Sequence, residues 1–271
     1  MPSPADLCSL NDAKAWLGIN NTTSDTLLAG LITAVSRSIL EYLNRSYLLP
    51  MQRTEVRDGS GTQRMMLKEF PVNSISSLMV DGSTIAACSS PPFGTGYILD
   101  AADPYPPGHI QRLTLTSQYF RRGFSNVTVV YSAGYQVTGE AWTVPGTPYQ
   151  VTTLQPWGNW GSDQGVTYAN GTALVKVASG PAVGQYSVSA TGVYTFAAAD
   201  AGAPVLISYG YVPADVRQAC LQALGDEFKS RDRIGIQSKS LAGQETITYT
   251  SNMLTTRVKA MLASFVNVTP V

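Results

Sequence analysis

The chain has 271 residues, of which 44% are hydrophobic and only 13% charged, with 18 basic and 18 acidic side chains. That length suits one large or two ordinary domains with real apolar cores, and 24 glycines, 16 prolines and 14 tyrosines point to turn-rich β structure with some helix, not to disorder or a coiled coil. A formal net charge of zero argues against tight, nonspecific nucleic-acid binding.

The opening MPSPADLCSLNDAK has neither a basic n-region nor an apolar h-region, so it does not read as a signal peptide, and folding in a cytoplasm is expected. No apolar run approaches the length of a membrane span. Ser9 to Asp12 fits a capping box, and Ala13, Trp16 and Leu17 give a short amphipathic helix closed by Gly18. Thr23 or Ser24 then caps a longer helix to about Asn44, whose Leu28, Leu31, Ile32, Val35, Ile39, Tyr42 and Leu43 share one face. From residue 51 the period becomes two. Gln52–Arg57, the turn Asp58-Gly59-Ser60-Gly61 and Gln63–Lys68 read as a hairpin, followed by strands at Ile75–Val80, Tyr97–Leu99, Ile110–Thr116 and Val127–Tyr131.

A phrase is then written twice. NVTVVYSAGY at 126–135 and APVLISYGYVPADV at 203–216 are both β-branched runs closing on tyrosine and glycine, and only the second continues into a helix start at Pro213. Joining Tyr135 to Val212 gives VVYSAGY-VPADVRQACLQAL, a strand, a tight turn and a helix with nothing left over. The expected organisation is a host, 1–135 plus 212–271, interrupted by a guest at 136–211. Two unrelated strands ending in ordinary Tyr/Gly turns are the competing explanation. Within the guest, short β runs at Tyr149–Thr153, Gly165–Tyr168, Leu174–Val177, Gln185–Ser189, Val193–Ala197 and Val205–Tyr209 recur with the rhythm of a small sandwich. Its Pro156–Gly161 loop carries Trp157 and Trp160, either an exposed binding surface such as a sugar platform or a cover for one end of the core.

After Pro213 a helix to about Lys229 places Val216, Cys220, Leu224 and Phe228 inward. The polar stretch 230–250 is expected to be mobile or to form strand only against a partner. Leu254, Val258, Met261, Leu262 and Phe265 then form one stripe on a last short helix, and the tail 230–271 reads as a docking element whose removal leaves folding largely intact. The predicted fold class is therefore α+β: a small helical bundle with an antiparallel sheet, interrupted by an all-β sandwich.

LNDAKAWLGI, SDTLLAGLITAVSRSILEYLNRSYL, FPVNSISSLMVDG, NVTVVYSAGY and VPADVRQACLQAL, in that order, resemble the head–tail connector proteins of tailed double-stranded-DNA phages, also called adaptor or head completion proteins. The 136–211 segment departs from that pattern, and its GQYSVSATGVYTFAAADAGAPVLISY resembles phage-borne immunoglobulin-like modules. The resemblance implies a virion neck protein without chemistry. Its copies form a ring, usually dodecameric, that joins the portal to a tail, tail-terminator or stopper protein and extends the DNA channel. It also implies that the C-terminal stripe docks on the portal or on the adjacent subunit, and that passing DNA is contacted weakly and nonspecifically.

Nothing in the sequence supports catalysis. The single histidine, His109, lies in a Pro-Pro-Gly turn, too little for a multi-histidine metal site, and no G-x-S-x-G, Walker or G-x-G-x-x-G element is present. No cofactor is expected. Cys8, Cys88 and Cys220 make no C-x-x-C pair and read as reduced, buried small hydrophobes. Asp226 and Glu227, with Lys229, Arg231 and Arg233 close by, read as solvated charges or subunit contacts. Arg121 and Arg122, in YFRRGF, are either a solvated turn or a basic–aromatic tip touching channel DNA or an acidic neighbour. The alternative function is a virion-surface module whose guest domain binds a glycan or another surface ligand.

Overall fold

The computed structural model describes residues 5–91, 93–99, 112–231, 238–241, 245–248 and 253–267. The fold is α+β. The chain separates into two compact units, one made of the chain up to Ser46 and again from Pro213, the other of Tyr47–Val212.

The first unit is helical. α1 (Leu10–Leu17) starts with the predicted capping box: the Asp12 amide donates to Ser9 Oγ and the Ser9 amide donates to Asp12 Oδ2. α2 (Asp25–Tyr42) buries Leu28, Ile32, Val35 and Ile39, the expected face, while Leu31 and Tyr42 lie at its margin. Ser24 occupies the N-cap position without a side-chain bond, because its backbone is not in the extended conformation that aims a hydroxyl at the first turn. Lys14 instead holds Asp25 in a 2.8 Å ion pair. α3 (Ala214–Ser230) buries Val216, Ala219, Cys220 and Leu224. α4 (Thr256–Leu262) is capped by Thr255 and runs into a short 3₁₀ turn, Ala263–Phe265. Between α3 and α4, Ser238–Leu241 and Glu245–Thr248 pair with each other as an antiparallel ribbon. The expectation that this stretch forms strand only against a partner is thereby corrected: alternating Ser/Thr, Leu and Ile supply two β-prone runs close enough to pair locally.

The second unit is all β. β1 (Met51–Gly59), β3 (Val72–Val80), β4 (Ser83–Thr84) and β7 (Gly123–Ala133) form an antiparallel sheet in the order β1-β7-β3-β4, and β2 (Arg64–Met66), β5 (Gly96–Leu99) and β6 (Arg112–Thr116) form another in the order β2-β6-β5. The two share one core containing Leu67, Leu78, Leu113, Leu115, Phe120, Val127, Val129 and Tyr131. β7 is central, and its Val127, Val129, Tyr131 and Ala133 point inward at period two. The predicted β1–β2 hairpin does not form. β1 pairs with β7 and β2 with β6, and the 58–61 turn crosses between the sheets. The turn is fixed by partners distant in sequence: Asp58 Oδ1 accepts the Ser125 amide at 2.6 Å and Gly61 donates its amide to Phe120 O at 2.7 Å.

Residues 136–212 build two further sheets. β8 (Gln136–Thr143), β10 (Gly158–Tyr168) and β14 (Pro204–Pro213) lie in the order β10-β14-β8, and β9 (Gln150–Thr152), β11 (Val175–Lys176), β12 (Gln185–Val188) and β13 (Val193–Phe196) in the order β11-β12-β13-β9. β8 was not foreseen, since Gly139 and Glu140 interrupt its alternation. Central β14 is buried continuously from Tyr209 to its end. The first and last residues of this region lie side by side: Gln136 pairs with Gly210, the Tyr211 amide donates to Tyr135 O at 3.0 Å, and the Tyr135 and Tyr211 rings are 5.8 Å apart. Leu49 and Pro50, just ahead of β1, are enclosed by Gly134, Gly161 and Gly210, at each of which a Cβ would overlap this dipeptide.

Candidate functional site

Exposed cationic and aromatic side chains of the β unit gather where β7 begins. Phe120 is fully buried and anchors the segment, its amide donating to Thr62 O at 2.9 Å, while Tyr119, Arg121, Arg122 and Phe124 are exposed. Asn126 fastens the loops behind them. Its Nδ2 donates to Asp81 Oδ1 (2.8 Å) and Arg121 O (2.9 Å), and its Oδ1 accepts the Gly59 amide (2.8 Å). Two guanidinium groups and two aromatic rings, one of them Phe124 at 88% exposed, are thus presented on a pinned support. Guanidinium forks bind phosphate or carboxylate oxygens, and exposed rings give apolar contact area. Beside them lies a cavity of about 380 Å³ lined by Val80, Ile85, Asp81, Tyr119 and Arg121. The sequence pointed to the arginines but not to Asn126, whose role depends on three loops meeting.

The sequence leaves Trp157 and Trp160 open between an exposed binding surface and a cover for one end of the core. Trp160 lies within β10, and both indoles are half-buried. Trp160 Nε1 donates to Tyr194 Oη at 3.2 Å and the ring lies against Gly192. At Gly161 the backbone of β10 runs so close to the Leu49 side chain that a Cβ would overlap it. The Trp160 indole therefore packs between β10 and β13.

The C-terminal stripe is used within the helical unit. Val258 and Leu262 have no exposed surface and Phe265 is 7% exposed, while Leu254 and Met261 are half-buried. Asn267 donates its amide to Leu43 O at 2.8 Å, and Asn44 Nδ2 donates to Asn267 O at 3.2 Å. Near the end of α3, Asp226 is exposed and the Arg231 guanidinium lies 4.2 Å from the Phe228 ring centre. His109 lies outside the described residues.

A second pattern escaped the sequence reading: buried and half-buried carboxylates are held by tyrosines. Asp163 of β10 accepts from Tyr186 Oη (2.8 Å) and Tyr194 Oη (3.1 Å) and pairs with Lys176 (3.1 Å), bridging the two sheets of residues 136–212. Glu140 accepts from Tyr209 Oη (2.6 Å) and from the Leu154 amide (2.9 Å), Asp200 from Tyr168 Oη (2.7 Å), and Glu55 from Tyr131 Oη (2.7 Å). Burial, then the bond to Glu55, pushes the Tyr131 hydroxyl far above its ordinary value; Tyr186 and Tyr209 are raised by burial and by Asp163 and Glu140. Each hydroxyl stays a proton donor, which is what a buried carboxylate requires. The only sequence signal is the number of tyrosines. Among the described residues no group of three or more His, Cys, Asp or Glu is placed to hold a metal ion.

At the start of β7 the exposed features are arginines and aromatic rings on a support pinned by Asn126. The sequence profile described as head completion protein matches residues 6–141, half of the chain, and the chain belongs to that family. No curated protein matches it. Among solved structures it is similar to a chain of the "Neck of empty GTA particle computed with C6 symmetry", 11% identical, over 100% of this chain and 95% of that one, with a TM-score of 0.36.

Proposed function

We propose that this protein is a structural component of the neck of a tailed phage-like virion. It is made in the host bacterial cytoplasm and assembles into a ring, probed below as a dodecamer, between the portal and a tail, terminator or stopper protein. The single observation that carries the reading is the head completion match over residues 6–141, which takes in α1, α2 and β1–β7. The protein acts by shape: the ring extends the channel through which double-stranded DNA passes. Zero net charge fits a lumen that must let DNA slide, since each phosphate neutralised adds affinity through counterion release. Arg121 and Arg122 are the candidates for weak contact with DNA or with an acidic neighbour.

In this reading residues 136–211 are a guest domain decorating the neck, supported by the meeting of Tyr135 with Tyr211 and of Gln136 with Gly210. Docking by the C-terminal stripe falls to half-buried Leu254 and Met261, because Val258, Leu262 and Phe265 are occupied inside the helical unit. Native mass spectrometry of the protein alone and with portal rings tests the proposal. Alone it is expected to be monomeric or heterogeneous, and on the portal to add as one ring of defined copy number, twelve being the count of a dodecamer. Tight dimers formed without portal, or no association with portal rings, would overturn it.

A further inference from the structure

Two sulfur atoms from opposite ends of the sequence meet inside the helical unit. Cys8, in the segment before α1, and Cys220, in α3, place their Sγ atoms 3.6 Å apart. Both are free thiols, 8% and 0% exposed. A disulfide has its sulfurs about 2.05 Å apart, so closure needs an approach of about 1.5 Å. The Cys8 segment is held in place: the Leu7 amide donates to Ser36 Oγ at 3.0 Å, and that oxygen lies 3.8 Å from Cys220 Sγ. The Cys220 contact, then burial, pushes the Cys8 thiol well above its ordinary value, so the closed structure offers an oxidant no thiolate.

We propose that Cys8 and Cys220 form a latent cross-linking site, converted by an oxidant of the hydrogen peroxide class into a disulfide that ties the segment before α1 to α3. When the segment lifts, the Cys8 thiolate attacks one peroxide oxygen and the O–O bond breaks. Hydroxide leaves and takes up the thiol proton as water, and Cys8 becomes a sulfenic acid. When the segment returns, Cys220 attacks the Cys8 sulfur, the S–O bond breaks, and a second water leaves with the Cys220 proton. The two electrons given up by the sulfurs reduce the peroxide. Cys8 reacts first because it lies on the lifting segment and is the less deeply buried of the two. The resulting ring of chain encloses α1, α2 and β1–β14, and the constraint a disulfide places on the unfolded state grows with the loop it closes. The site would remain open in a reducing cytoplasm and close outside it. This proposal is independent of the neck reading.

The test uses full-length protein carrying Cys88→Ser, treated with hydrogen peroxide, alkylated, digested and mapped without reduction. The expected result is a Cys8–Cys220 peptide pair, loss of two hydrogens from the intact mass, and a higher thermal midpoint that reverts with dithiothreitol. Ser36→Ala, which removes the acceptor of the Leu7 amide, is expected to speed cross-linking severalfold in protein whose circular dichroism is unchanged. Recovery of both cysteines as alkylated thiols or as sulfinic acids from folded protein would overturn the proposal, as would a link that lowers the midpoint.

Discussion

Leu262→Ala removes a side chain with no exposed surface from a helix of seven residues, too short to stand alone. A fully buried Leu→Ala change costs about 2–5 kcal/mol, the upper end applying where neighbours cannot collapse into the space. Truncation after Ser230 removes Val258, Leu262 and Phe265 together. Burial of such side chains is worth about 1.5–3 kcal/mol each, so the loss is about 5–9 kcal/mol against a typical domain stability of about 5–15 kcal/mol. The bonds between Asn267 and the end of α2 go with them. Helical circular dichroism followed through urea reads the unit directly, without assuming that the whole chain unfolds in one step. Leu262→Ala is expected to stay folded with a midpoint lowered to match its cost, and the truncated chain to lose most of the helical signal before urea is added. A loss under about 1 kcal/mol for Leu262→Ala, together with a fully helical truncated chain, would refute the core assignment and return the stripe to docking.

Alkali should unfold the protein steeply. Tyr131, Tyr186, Tyr194, Tyr209 and Tyr211 have raised hydroxyls in the fold, so their stabilisation is complete below the unfolded value of about 10 and is lost as pH rises through it towards the folded values. Each contributes up to about 1.4 kcal/mol per pH unit in that window, and a flat urea midpoint between about pH 9.5 and 11.5 would contradict this. Asp163→Ala leaves two buried hydroxyls without their acceptor and should cost about 2–4 kcal/mol by near-ultraviolet circular dichroism in urea; a cost below about 0.5 kcal/mol would mean the bridge between the sheets is dispensable. Arg121→Ala with Arg122→Ala should change stability by less than about 0.5 kcal/mol and flatten the salt dependence of any DNA binding by about two phosphate contacts. Sequence-specific DNA binding by the unaltered protein would contradict the channel role. Deleting 136–211 and joining Tyr135 to Val212 should leave a soluble host by light scattering, and aggregation would reject that boundary.

The helices were legible because their information is local: Ser9 with Asp12 marks a start, and Leu28, Ile32, Val35 and Ile39 mark a face. β7 was legible for the same reason, as its β-branched residues alternate cleanly. The β1–β2 hairpin was misread because the Asp58–Gly61 turn looks sufficient in itself, whereas its bonds run to residues 120–126, about 60 positions away. β8 was missed because Glu140, a polar residue in a strand, finds its partners at Leu154 and Tyr209, 14 and 69 positions later. The arginine loop could be seen in YFRRGF, but its Asn126 fastening could not. Trp160 looked like a loop residue because glycines stand near it on both sides, whereas Trp157 does lie in the bend before β10. In the structure, Gly161 lets β10 pass close to Leu49, and Trp160 rests on Gly192.

The enclosure of Leu49 and Pro50 restricts how this chain can change over time. Gly161 and Gly210 belong to the region proposed as a guest, yet both are shaped to a dipeptide that precedes them by more than a hundred positions. The 136–211 region is therefore not an interchangeable cassette. Transplanted at a similar loop in a relative, it would need a matching Leu-Pro before the first strand, and a relative without the region would be released from keeping those two residues. Substitutions at positions 49, 50, 134, 161 and 210 should accordingly be inherited together, so that the history of the proposed insertion would be recorded in a contact as much as in the sequence of the region.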